Sequence, residues 1–190
     1  MSVFTVNEFL LPDQYENVRM EKIKEIAKIK SLRRVDYGDR LSFLFENRDT
    51  VKHQIQETIY LDGLTNTEDI EDVIRTYEPM VPRGDEISLT VFINIYNDNE
   101  LRELLPKYRG IENSIRIKID DKEINGSVIY PEKSKYTTRS IHYLKFKLDN
   151  DDKNRIVRNY KMYIVINHPQ LQVEIQIPQK VIDSIIKDLH

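Results

Sequence analysis

The densest run of chemistry-bearing side chains is Phe45-Glu46-Asn47-Arg48-Asp49-Thr50, followed by His53, Gln54 and Glu57. Three carboxylates, two amides and an imidazole are the groups that acid–base catalysis or ligation draws on. Arg48 beside them suits an anion. In a helix, His53 and Glu57 lie four residues apart on one face. One reading makes Glu46, Gln54 and Glu57 ligands or acid–base groups, with Arg48 gripping an anion. The same residues also answer a structural need. Asn47, Asp49 and Thr50 are helix-capping types, and Arg48 paired with Glu46 or Glu57 would brace the corner where a strand turns into a helix. On that second reading no residue is catalytic.

Elsewhere the sequence is poor in catalytic patterns. His53, His142, His168 and His190 show neither HExxH nor another tight metal spacing, and the five glycines are scattered singly, so no phosphate loop is present. No GxSxG nucleophile motif occurs. Cysteine is absent, which removes disulfides, thiolate-held zinc or iron–sulfur clusters, and a cysteine nucleophile. We therefore expect no metal and no cofactor.

The elements that must position these residues follow from apolar spacing. Val18, Ile23, Ile26 and Ile29 predict a helix from Asp13 to Leu32, with Asp13 and Glu16 as a capping box behind Pro12. After Gly38, Leu41, Phe43 and Phe45 alternate as a strand. A helix is expected from Asp49 or Thr50, with Val51, Ile55 and Ile59 on its buried face and Gly63 at its end. Another follows a Thr67 cap, carries Ile70, Val73, Ile74 and Tyr77, and stops at Pro79 and Pro82. Ile87 to Ile95 alternates as a long strand. A short helix capped by Asn97 or Asp98 ends at Gly110. Ile115, Ile117 and Ile119 form a strand that turns at Asp120-Asp121 and returns through Ile124, Val128 and Tyr130. Residues 131–140 read as a loop. Ile141–Leu148, Met162–Asn167 and Leu171–Ile177 read as strands, the last two joined by a His168-Pro169 turn, and a final helix begins at Pro178. The expected fold is α+β: a helical N-terminal half packed on a mainly antiparallel sheet from the C-terminal half, as one domain over residues 1–190.

Composition bounds the partners. Isoleucine occurs 25 times and alanine once, and 32% of the 190 residues are charged. A β-branched core inside a charged shell, without cysteine, is thermophile-like. The formal charge of −3 argues against a dedicated nucleic-acid binder. Yet Glu57 to Glu100 holds 11 acidic and 2 basic residues, while Glu132 to Lys161 holds 9 basic and 4 acidic. Arg33, Arg34, Arg40 and Arg48 add to the basic side. Such segregation would steer a complementary protein or a second copy of the chain, unless the segments interleave and cancel. Tyrosines 136, 143, 160 and 163 among the late basic residues leave RNA association as a third reading. No apolar run reaches the roughly 18 residues that cross a bilayer, and the first residues lack the pattern of an export signal, so the expected location is cytoplasmic, with no membrane partner.

The run Arg34-Val35-x-x-Gly38 through Phe45-Glu46-Asn47-x-x-Thr50-x-x-x-Gln54-x-x-Glu57 resembles the signature of domain-of-unknown-function family 3501. Tyr77-x-Pro79-x-x-Pro82, Thr90-x-Phe92-Ile93, Gly110-Ile111-Glu112, Ile141-His142-Tyr143-Leu144-x-Phe146 and His168-Pro169 extend the resemblance along nearly the whole chain. The family has no established activity. Its bacterial members are often encoded beside rubrerythrin-like proteins and an iron–sulfur oxidoreductase, which implies by association a role in oxidative stress or electron transfer. Relatives usually carry an aromatic residue where this chain has His53, which speaks against His53 as a family catalytic group. Candidate ligand or partner residues are Arg34, Glu46, Asn47, Arg48, Thr50, Gln54 and Glu57. The leading expectation is a non-catalytic accessory or protein-interaction protein. The alternative is an enzyme or small-ligand-binding protein with a polar pocket at the strand–helix corner.

Overall fold

In the computed structural model, which describes residues 2–158 and 160–189, the first helical stretch is two helices, α1 (Pro12–Glu16) and α2 (Arg19–Ser31). The sequence reads as one helix there. The interruption has a local cause: the Asn17 side-chain amide donates to the Asp13 carbonyl at 3.0 Å, taking the acceptor that a continuing helix would offer to the Asn17 backbone. Leu11, not Asp13, is the capping residue, with Pro12 at the first helical position.

A hairpin of β1 (Arg34–Tyr37) and β2 (Leu41–Glu46) follows, turning at Gly38, whose φ of +55° favours glycine. Then come α3 (Arg48–Leu61), α4 (Thr67–Tyr77), β3 (Glu86–Ile93) and α5 (Asp98–Leu104). Asn47, one of the capping residues named at the head of α3, caps that helix, and Asn66 caps α4 one residue ahead of the expected Thr67. Asn97 caps α5, as its position suggests.

Next are β4 (Ile115–Ile119), β5 (Lys122–Asn125), β6 (Ser127–Val128), β7 (Ile141–Lys147), α6 (Asn150–Val157), β8 (Met162–His168), β9 (Leu171–Gln176) and α7 (Gln179–Ile186). The fold is α+β, and every strand pair is antiparallel. The strands divide between two sheets, ordered β1-β2-β3-β7-β6 and β5-β4-β8-β9. Three strands of the larger sheet come from the first half of the chain.

The strand returning from β4 changes sheet at Gly126. β5 pairs with β4 in the smaller sheet and β6 with β7 in the larger. A Cβ at Gly126 would stand 2.9 Å from the Phe146 ring, so the crossing needs a residue without a side chain.

Alternation divides the larger sheet into two faces. Phe43, Phe45, Leu89, Val91, Leu144 and Phe146 point toward the smaller sheet, where Ile117, Ile164, Ile156 and Ile182 complete one core. The opposite face carries Ser42, Glu46, Ser88 and Thr90, all buried. Beside it Val51, Ile55 and Ile59 of α3 pack with Ile70 and Ile74 of α4 and with Phe4 and Phe9. Because both faces are covered, all six residues of β2 are buried, not only the alternating three.

Helix α6 has too little apolar content to announce itself: only Asp152 and Ile156 are buried in it, and a reciprocal cap between Asp149 and Asp152 sets its start. Among the described residues no helix is long and apolar enough to cross a membrane.

Candidate functional site

Glu46 ends β2, and strand alternation turns its side chain away from Phe45, onto the polar floor near α3. It is 3% exposed. Thr90, across the sheet on β3, donates to Oε1 at 2.6 Å, and the Thr50 hydroxyl meets Oε2. Thr50 Oγ1 also accepts from the Asn47 backbone at 2.9 Å and lies 3.1 Å from the Asn47 carbonyl oxygen. Burial pushes the Glu46 carboxyl above its ordinary pKa, opposed by these hydroxyls and by the charges of Lys30 and Arg33. In its protonated form Glu46 can donate to Thr50, freeing the Thr50 proton for the Asn47 carbonyl.

Asn47 closes the motif. Its Oδ1 accepts from the Thr50 backbone at 2.9 Å while Thr50 Oγ1 accepts from the Asn47 backbone, a reciprocal cap on the first turn of α3. Asn47, Thr50 and Glu46 are thus brought together.

Arg48 and Glu57 are not. Capping by Asn47 puts Arg48 at the first helical position, where it points outward, reaches Glu8 at 2.5 Å and covers the Phe4 ring at 4.7 Å. The expected pairing of Arg48 with Glu46 or Glu57 does not form. Glu57, nearly three turns along, takes a 2.8 Å ion pair from Arg19 and a 2.9 Å hydrogen bond from the Tyr15 hydroxyl. The Arg19 guanidinium holds the Glu57 carboxyl below its usual range, and burial with that hydrogen bond pushes the Tyr15 phenol up. Gln54 lies beside the Tyr143 hydroxyl of β7. Arg34 stays at the edge strand, 2.8 Å from Asp36 and 2.7 Å from the Ser42 hydroxyl. The seven candidates therefore do not line one pocket.

His53 borders a cavity of about 430 Å³ with residues of α1 and α2, among them Tyr15, Lys22 and Glu25. Its Nε2 has no hydrogen-bond partner among the described residues, and burial lowers its pKa. His168 joins a loop instead: Nε2 lies 3.0 Å from the Arg109 carbonyl, and Nδ1 accepts from the Gln170 backbone at 3.2 Å. His190 lies outside the described residues. Among the described residues no three histidine or carboxylate side chains stand close enough to hold a metal.

The partners of several important residues gave no sequence signal. Arg33 is 2% exposed. It donates to the Phe45 carbonyl at 2.6 Å, the Glu46 carbonyl at 3.2 Å and the Ser184 hydroxyl at 2.8 Å, and pairs with Asp188 at 2.5 Å. One guanidinium thereby ties α7 to the end of β2. Gln56 grips both backbone groups of Leu10, at 2.8 and 2.9 Å, pinning the N-terminal segment to α3. Between the sheets, buried His142 faces buried Glu112 at 3.7 Å and Thr138 at 3.2 Å. These pairings join residues that the sequence separates by up to 155 positions, so Arg33 and His142 could be named by type and Glu112 by the resemblance, but no local spacing pointed to their partners.

The charged segments partly interleave. Lys145 pairs with Glu86 at 2.7 Å and Lys147 with Asp85 at 2.5 Å, because β7 lies against β3.

No curated protein matches the chain. Among solved structures, a novel protein of unknown function from Burkholderia pseudomallei K96243 is similar over 100% of both chains, with 25% sequence identity and a TM-score of 0.92. The family model described as "Protein of unknown function (DUF3501)" matches residues 4–189, so the chain belongs to that family.

Proposed function

We propose that the chain is a single-domain, cytoplasmic, non-catalytic accessory protein that works by binding a protein partner. The observation that carries this reading is the internal use of the motif's polar groups. Glu46 is held by Thr50 and Thr90, Arg48 by Glu8, and Glu57 by Arg19 and Tyr15. Side chains saturated by their own chain brace a corner; a reacting group needs an approach for substrate and a free functional atom. The redox or oxidative-stress setting, with a rubrerythrin-like protein or an iron–sulfur oxidoreductase as partner, rests on the gene association of the family.

The test mixes the purified chain with each of these two proteins from its own genome at about 50 μM and follows sedimentation velocity. The expected result is a faster boundary containing both proteins. If neither shifts the boundary, and affinity capture from native lysate also recovers neither, the redox partnership is wrong.

A further inference from the structure

A second cavity, of about 460 Å³, lies between the end of α4 and β7. Tyr77, Tyr130 and Tyr143 wall it, and Lys133 and Arg139 line it from the loop spanning 131–140; none of its lining residues is acidic. In a chain of net charge −3, two lining cations against the single carboxylate of Glu132, which pairs with Arg139 and is not part of the lining, leave a local positive excess that favours an anion. Its volume falls within the range of small-molecule sites.

The loop is built to present those cations. Glu132 accepts from the Lys133 and Ser134 backbones at 2.7 and 2.8 Å, and its other oxygen pairs with Arg139 Nε at 3.2 Å. That single carboxylate organises both ends of the loop and leaves the terminal nitrogens of Arg139 uncommitted among the described residues. Lys133 Nζ likewise has no ion-pair partner among the described residues.

The tyrosine hydroxyls are mostly spent within the chain. That of Tyr130 donates to the Thr76 carbonyl, and that of Tyr77 lies 3.4 Å from the Thr58 hydroxyl. The rings therefore remain as the recognition surface. Tyr130 and Tyr143 stand edge to face, with centroids 5.6 Å apart at 86°, a geometry that offers a third ring both a face and an edge. Burial pushes Tyr143 up and Tyr130 up to about 12, so no phenolate repels an anion at neutral pH.

We propose that this cavity binds a small aromatic carboxylate, its ring among Tyr77, Tyr130 and Tyr143 and its carboxylate between Lys133 and Arg139. This site is separate from the Glu46 corner and goes beyond the accessory reading.

The test titrates the full chain with benzoate and 4-hydroxybenzoate, with cyclohexanecarboxylate and inorganic phosphate as comparisons, followed by ¹H–¹⁵N chemical shifts. Saturable binding of the aromatic acids below about 10 mM is expected, with shifts centred on residues 130–143. Arg139→Gln and Lys133→Gln should each weaken it about tenfold, while Lys52→Gln, at the cavity beside His53, should leave it unchanged. Both test positions are at the surface, and retained wild-type spectra elsewhere verify folding. No saturation, or binding indifferent to both substitutions, overturns the site. Equal affinity for phosphate or for the cyclohexane acid overturns the aromatic specificity.

Discussion

Replacing Glu46 tests whether the corner is structural, because alanine and glutamine at this position separate charge from hydrogen bonding. In Glu46→Ala, Thr90 loses its 2.6 Å acceptor while buried. Thr50 retains the Asn47 carbonyl at 3.1 Å. One orphaned buried hydroxyl costs roughly 1–3 kcal/mol, and the void left by the carboxyethyl stem adds about 1 kcal/mol. The expected loss is about 2–4 kcal/mol, or roughly 5–15 °C in melting temperature for a chain of this size. In Glu46→Gln the amide oxygen still accepts from Thr90, and the NH2 donates to Thr50, which turns its proton to Asn47. Stability should stay within about 1 kcal/mol of wild type. The pH dependence adds a sign. The folded pKa of Glu46 is raised above 4.5, so its contribution is complete below pH 4.5 and is lost as pH rises through the folded value. The glutamine variant should therefore gain on wild type between pH 4.5 and neutrality. Thermal unfolding by circular dichroism over that range measures both effects. If Glu46→Gln at pH 7 falls as far as Glu46→Ala, the ionised carboxylate is required and the bracing argument fails.

Two further outcomes follow from the buried polar groups. Arg33→Met should cost about 3–5 kcal/mol in urea unfolding, since it strips the guanidinium from the Phe45 and Glu46 carbonyls and from Asp188; a loss under about 1 kcal/mol would show that α7 docks without it. Burial depresses the pKa of His142 below 6.5, against the opposing pull of Glu112 and Glu132 and in line with the Arg139 charge. A histidine kept neutral in the fold contributes stability above pH 6.5 that is lost as pH falls toward its lowered value. Melting temperature measured from pH 7.5 to 5.0 should consequently drop more steeply in wild type than in His142→Gln, and parallel curves would remove His142 from the account.

Local information carried much of the fold because it is written in spacing. The alternation of Ile87, Leu89, Val91 and Ile93 and the four-residue recurrence of Val51, Ile55 and Ile59 each mark one apolar face, and those faces are buried. Asn17 and Asn66 show the limit of that reading. Both act through side-chain hydrogen bonds that shift a helix boundary, and several neighbouring residues could have served equally well by type. Helix α6 and strand β1 escaped because one or two buried positions make no period.

The candidate site divides along the same line. Sequence alone determined that Asn47 and Thr50 sit three apart at a strand–helix junction, which suffices for a cap, and that cysteine chemistry is excluded. It also determined which residues alternate, and hence that Glu46 and Phe45 face opposite ways. Tertiary structure alone decided that Thr90 would complete Glu46, that Arg48 would turn to Glu8, and that Tyr77, Tyr130, Lys133, Arg139 and Tyr143 would surround one hollow. The physical reason is range. Capping and alternation depend on backbone geometry within a few residues, whereas a buried carboxyl or a cavity is defined by which distant strands the chain pairs, and no local spacing encodes that pairing.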